Sequence, residues 1–418
     1  KEPDLGHPDA AIRLAAAVHR FRVPQMVRTV SFVRAFKTAG GHPKTKAVLT
    51  KADGARSKLK ETLESPTLSG ERVFIDATRY LPLIHQILLT CKVQPEVARL
   101  DERLIFEWTS GVENEPEKFQ SEALMYDMVM CCACQALGKA MVATEASIAG
   151  EFAAASREYS AAAGIFQFLA KNHLPKWIAK GNNVIAEKLP TEATVNATEA
   201  IVELMLANAQ QMAVATVLIK PGVPNYSLLA KLCLGIEERL EKFTNMMRKF
   251  AFSHKERMDK DFFTLVTFQI TLQKSLSTYF YARSMWDKRD YGIAIALLSE
   301  ASQALNTRAH GAATGMPDIS KTSPLKPLQK DLTDIKAHMK LLLQHWEHDN
   351  STVFFEKVPQ KVPEDQKLST PLQLSKATPF KVDGDIDPLP LSLPEGALQR
   401  SDSDLARQLQ EQLNSGLE

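Results

Sequence analysis

Cysteine is scarce in this chain of 418 residues, and its placement points away from disulfides. The five cysteines, Cys91, Cys131, Cys132, Cys134 and Cys233, are odd in number, and three crowd into the apolar run CCAC. That usage fits a reducing, cytoplasmic compartment. It also fails as a zinc site. Thiolate ligands sit two or more residues apart on a turn that can converge on the ion, whereas adjacent cysteines on a helix point about 100° apart. A buried structural role is expected for CCAC.

Long apolar runs are missing as well. No stretch of about 18 apolar residues reads as a membrane span, and the opening KEPDLGHPDA, which begins without Met, has no signal-peptide core. An excess of one charge is also missing: 51 basic and 49 acidic side chains leave a net charge of +2. That excludes a globally basic nucleic-acid binder and makes any basic surface local. No Walker-type loop, GxSxG elbow, HExxH or dinucleotide fingerprint occurs. His345 and His348 of HWEH have no further ligands placed near them and read as surface histidines at a helix end. The expectation is a non-enzymatic protein with no catalytic residue, metal, cofactor or small-molecule substrate. No cysteine follows Cys233, so a prenylation box is not expected either.

What is present is helix. Hydrophobic residues make up 44% and charged residues 24%, ordinary for a chain with a large core. Ala10–Phe36 reads as two helices broken at Pro24, Lys44–Leu63 as a lysine-rich exposed helix, and Val73–Leu89 as a more buried one. Leu104–Thr109 is either a short extended piece or a helix entry, and Glu113–Lys118 an acidic loop. Phe119–Ala143, carrying CCAC, is a long apolar helix. Ser147–Leu169, Thr191–Ile219, Tyr226–Phe250 and Phe262–Asp287 then share one rhythm, with Pro221-Gly222-Val223-Pro224-Asn225 the clearest punctuation. Within Arg157–Ile178, alanines with Tyr159, Ile165, Phe166 and Leu169 form a packed helix, which Pro175 is expected to close in an apolar corner at Trp177. Tyr291–Leu305 resembles the second helix of a tetratricopeptide-type hairpin, and Leu328–Trp346 follows a Gly/Pro/Ser/Thr loop at 306–327. Ser351–Pro359 reads as extended, and seven prolines from Pro359 to Pro394 favour a strap. SDSDLARQLQEQLNSG reads as a terminal helix around Asp404–Leu413. The fold class is all-α with a wrapping C-terminal segment.

Four segments, in order, carry a family resemblance: Ala161–Phe166 followed by His173–Lys176, Met205–Gln211, Ala230–Leu232 and Phe354–Pro359. Together they resemble a Bro1 domain, of the stand-alone, BROX-like type. The resemblance implies an elongated, banana-shaped helical domain with a tetratricopeptide-like middle, here residues 1–382 with an atypical N-terminal segment. Residues 383–418 would form a Pro-rich tail. It also implies an adaptor of endosomal sorting, cytoplasmic or peripheral on endosomal membranes, whose apolar groove holds an amphipathic C-terminal helix of an ESCRT-III core subunit. Matched motif to motif, the groove falls on Ala213, Leu228 and Leu232, flanked by Leu206 and Val217. Ala213 stands where Alix-type members place a large aromatic.

The residues alone leave the groove open to a second reading. The apolar arc of Thr191–Ile219 is wide enough for a helix covered on most sides, or for one with core on one side and a groove on the other. Arg248, Lys249, Lys255 and Arg257, with Phe250 and Phe252 among them, form a basic cluster. They suit a membrane surface or acidic partner, or else a solvated face balanced by nearby glutamates. The rival to the ESCRT-III adaptor is a scaffold that keeps the Bro1 fold and binds elsewhere, through its tail or basic patch.

Overall fold

The computed structural model describes residues 8–95, 97, 100–114, 117–178, 188–306, 316–317, 323–382 and 386–392. Among the described residues the fold is all-α apart from one short two-stranded ribbon, and the chain divides into two compact units. The tail helix expected at Asp404–Leu413 lies outside the described residues.

The larger unit contains residues 1–22, 112–115 and 136–380. Its helices are α1 (Asp9–Ala15), the second half of α5 (Leu124–Ile148), α6 (Phe152–Phe168), α7 (Leu174–Ile178), α8 (Val195–Leu218), α9 (Tyr226–Phe250), α10 (Phe252–Arg257), α11 (Lys260–Asp287), α12 (Tyr291–Ala304) and α13 (Gln329–Asp349). They pack in chain order: α6 on α8, α8 on α9, α9 on α11, α11 on α12, α12 on α13. Short connections make neighbours in sequence neighbours in space. Each inner helix is covered on two sides, which is why α8 carries apolar residues around most of its circumference. It is long and apolar enough to cross a membrane, yet 78% of its most apolar window is buried within the fold, as in a core helix. At the far end of the array Trp286 stacks on Trp346 at 4.3 Å, and Phe354 stacks on Tyr291 at 3.6 Å.

Pro175 does not close its helix. The five residues Leu169–His173 widen into a π turn, in which Leu174 N–H reaches back to the Leu169 carbonyl, and α7 continues through the proline. The wider turn accommodates a residue that cannot donate the usual bond. Trp177 is buried as expected, and Leu174 is buried as well. Ser351–Pro359 begins as a second π turn, Asn350–Phe354, ended by Phe355 in the left-handed region (φ 58°), and only then becomes extended. Glu113, expected in a solvated loop, is buried. Its carboxylate accepts from Thr191 N and Oγ1 at 2.8 Å and pairs with Arg257 at 3.0 Å.

The smaller unit contains residues 23–111, 116–135 and 381–418. It holds α2 (Phe32–Ala35), α3 (Pro43–Leu63), α4 (Gly70–Val93), the first half of α5, and the ribbon β1 (Phe106–Thr109) with β2 (Lys118–Ser121). Residues 23–31 are extended rather than helical. Val27 N bonds the Glu107 carbonyl and Thr109 N bonds the Gln25 carbonyl, so this segment lies along β1 and draws its backbone partners from the strand. Helix α3 is exposed only on its lysine face; Leu49, Ala52, Arg56 and Leu59 are buried. The core is keyed by the Asp127 carboxylate, wholly buried and held by four donors. Arg56 gives two at 3.1–3.2 Å, Tyr80 Oη gives one at 2.5 Å and Trp108 Nε1 one at 2.8 Å. Burial and the adjacent carboxylate push the Tyr80 phenol well above its ordinary value. Cys131 and Cys132 are also fully buried here, and burial pushes both thiols up.

Candidate partner-binding site

The candidate face is made by α8 and α9. On α8, positions 199, 203, 206, 210, 213 and 217 recur every three or four residues and so share one side of the helix. On α9 the matching set is 228, 231, 232, 235, 239 and 242. Elsewhere α8 is nearly continuous core; along this side Glu203, Ala213 and Val217 are only half-buried.

An extended stretch of the chain's own C-terminal segment, residues 371–380, crosses the middle of this side. It starts over α9, where Leu372 N donates to the Lys231 carbonyl at 2.9 Å. Gln210 on α8 then grips it with both ends of its amide. Nε2 donates to the Leu372 carbonyl at 2.8 Å and to the Leu232 carbonyl at 2.7 Å. Oε1 accepts from Leu374 N at 3.0 Å. Arg239 binds the Ser375 carbonyl at 3.0 Å while pairing with Glu203 at 2.7 Å. The strap ends on α6, where Thr378 N donates to the Ser160 carbonyl at 2.9 Å and Phe380 meets Phe168 edge-on. Two helix glycines permit the approach. A Cβ on Gly235 would lie 2.4 Å from the Leu372 carbonyl oxygen, and one on Gly164 only 1.8 Å from that of Thr378.

The strap parts the face into two regions. On one side lie Glu203, Arg239 and Lys242, a charged cluster in which Lys242 also pairs with Glu203 at 2.7 Å. On the other, toward the turn Lys220–Asn225, lie Ala213, Val217 and Leu228, all half-buried and apolar. These are the groove residues that reach the surface. Leu232 is not among them: it is 1% exposed, in the core beneath the strap, because Gln210 and the strap close over the turn that carries it. Leu206 is 6% exposed and likewise supports the face from below. Gln210 was legible only as part of the motif Met205–Gln211; no pattern in the sequence announces that a buried amide waits for a distant strand.

The basic cluster is reduced as well. Arg248 and Lys249 are exposed, and the Lys255 ammonium sits 5.8 Å over the Phe252 ring. Arg257 turns inward to Glu113 and to the Leu189 carbonyl at 2.6 Å, and its charge is used inside the fold. His345 Nε2 lies 3.4 Å from Asp349 on its own helix, one turn on. Among the described residues no three metal-ligating side chains converge.

The fold is similar to that of several solved structures. One, described as the structural basis for endosomal targeting by the Bro1 domain, gives a TM-score of 0.66 at 15% identity, covering 87% of this chain and 93% of that one. The ALIX BRO1–CHMP4C complex gives 0.63 at 16% identity, covering 87% and 96%. ALIX in complex with the SIVmac239 PYKEVTEDL late domain gives 0.64 at 15% identity, covering 88% of this chain and 49% of that one. No curated protein matches the chain in sequence. The BRO1-like domain profile matches residues 56–402, and the chain therefore belongs to the BRO1-like domain family, whose members are adaptors rather than enzymes.

Proposed function

We propose that this protein is a cytoplasmic adaptor of the endosomal sorting pathway, and that it binds the amphipathic C-terminal helix of an ESCRT-III subunit on the α8/α9 face. The observation that carries the reading is the half-buried apolar patch of Ala213, Val217 and Leu228, bounded on one side by the strap. A BRO1 domain in complex with CHMP4C supports the partner class, and a Bro1 domain associated with endosomal targeting supports the compartment. An amphipathic helix laid on this patch would bury apolar anchors worth about 1.5–3 kcal/mol each when fully covered, enough for micromolar affinity after ordering costs.

The test is isothermal titration of the full chain with a CHMP4C C-terminal peptide. Leu228→Asp and Val217→Asp place a charge on the half-buried surface and should each weaken binding by at least tenfold, with the far-UV circular dichroism unchanged. Ala213→Phe supplies the ring that Alix-type members carry and should strengthen binding by about tenfold. Leu232→Asp does not test the surface, since a charge at that buried position attacks the core. Unaltered affinity in both aspartate variants would refute the placement of the helix.

A further inference from the structure

At the end of α9 the chain turns through Ala251 into α10, and the turn leaves two large rings in water. Phe250 is 63% exposed and Phe252 59%. The turn is held in place: Asn196 Nδ2 donates to the Phe250 carbonyl at 3.2 Å, and Ala251 and His254 are buried beside it. The backbone therefore presents both phenylalanines outward, where neither contributes to the core.

Their surroundings are cationic. Arg248 and Lys249 are exposed immediately before the rings, Lys255 lies over Phe252, and Lys260 is exposed at the start of α11. The acidic groups nearby are Glu256, 3.7 Å from Lys255, Asp259, which caps α11 through Asp261 N, and Asp261 itself. Two isolated rings among Arg248, Lys249, Ser253 and Glu256 offer too little apolar area for a protein interface, which needs several hundred Å2 on each side. They do match a lipid interface. Aromatic side chains enter the headgroup–acyl boundary singly, and flanking cations meet the anionic headgroups above them.

We propose that the α9–α10 turn is a membrane-docking element, with Phe250 and Phe252 inserting shallowly into an anionic lipid surface and Arg248, Lys249 and Lys255 meeting its headgroups. It is separate from the α8/α9 face: Leu228→Asp should leave lipid binding intact.

The experiment is co-sedimentation of the full chain with phosphatidylcholine vesicles that contain or lack phosphatidylserine. The wild type should partition onto the phosphatidylserine vesicles only, and less as salt rises. Phe250→Ser with Phe252→Ser should lower the partition coefficient by about tenfold. Arg248→Glu with Lys249→Glu should lower it by at least about thirtyfold and flatten the salt dependence. All four side chains are exposed, so the circular dichroism of both variants should match the wild type. Failure of the wild type to sediment with either vesicle, or wild-type partitioning of both variants, overturns the proposal. So does concentration-dependent self-association of the wild type that the serine variant abolishes without vesicle binding, which would assign the rings to a second copy of the chain.

Discussion

Substituting Gly164 by alanine should separate the strap from the helices without unfolding them. The new methyl group would lie 1.8 Å from the Thr378 carbonyl oxygen and 2.9 Å from its carbon, closer than any carbon can approach. Helix α6 cannot give way, because Ala162, Ala163, Ile165 and Phe166 fix its other sides in the core. The strap therefore lifts. It loses the Thr378–Ser160 hydrogen bond and the edge contact between Phe380 and Phe168. Those are worth about 1 kcal/mol each. Alanine in place of glycine inside a helix returns about 1 kcal/mol. The gain offsets about half of the loss in global stability and none of it locally. Urea denaturation should show a loss of only about 1 kcal/mol, while amide exchange at Thr378 accelerates by roughly thirtyfold. The assay is hydrogen–deuterium exchange with mass spectrometry over residues 371–380, beside a denaturation curve for each protein. A variant that keeps Thr378 protected and loses several kcal/mol of stability would show that α6 yields instead, and the reasoning fails.

Other consequences can be checked in parallel. Asp127→Ala removes the acceptor shared by Arg56, Tyr80 and Trp108 and strands a buried guanidinium; urea denaturation should report a loss of about 3–5 kcal/mol, and a loss below 1 would show the network to be incidental. His19, set between Phe21 and Phe262 at 4.8–4.9 Å, is held by desolvation down at about 4, from 6.5. Because the folded value is depressed, its contribution is present above pH 6.5 and fades as pH falls toward 4, by up to about 3 kcal/mol; a His19→Phe variant should have a flatter stability profile over that window. Burial pushes the Cys132 and Cys233 thiols up, and half-buried Cys91 rises only to about 11. A thiol reagent at pH 8 should therefore label Cys91 alone in the native protein, as peptide mapping would show, and all five cysteines in denaturant.

The helical framework was legible because its signals are local. Tyr226–Phe250 has its start set by Asn225, whose side chain caps Leu228 N, and by the chemistry of the preceding Pro-Gly-Val-Pro turn. What stayed hidden depends on partners far along the chain. Residues 23–31 carry helix-like spacing at Val27 and Val30, yet β1 claims the backbone of this segment, and tertiary pairing overrides the period. Glu113 looked solvated because it stands in the acidic, polar stretch Glu113–Lys118; the cation it pairs with, Arg257, arrives from 144 positions away. Leu232 kept the right type and spacing for a groove, but a period identifies a face and cannot say what covers it. The cover was the strap, visible as a proline-rich segment without an address. Gly164 and Gly235 were its address, and a glycine within a helix names no partner.

The strap also ties the finish of the larger unit to the end of its synthesis. Domains assemble from the N-terminus as they emerge, so α6, α8 and α9 can pack before residues 371–380 exist. Until then the Gln210 amide lacks its strand partners and the seats over Gly164 and Gly235 stand open to water. A chain cut short before Pro371 would keep most of its helices and still display an unfilled polar seam along α8, a mark by which an incomplete copy differs from a finished one.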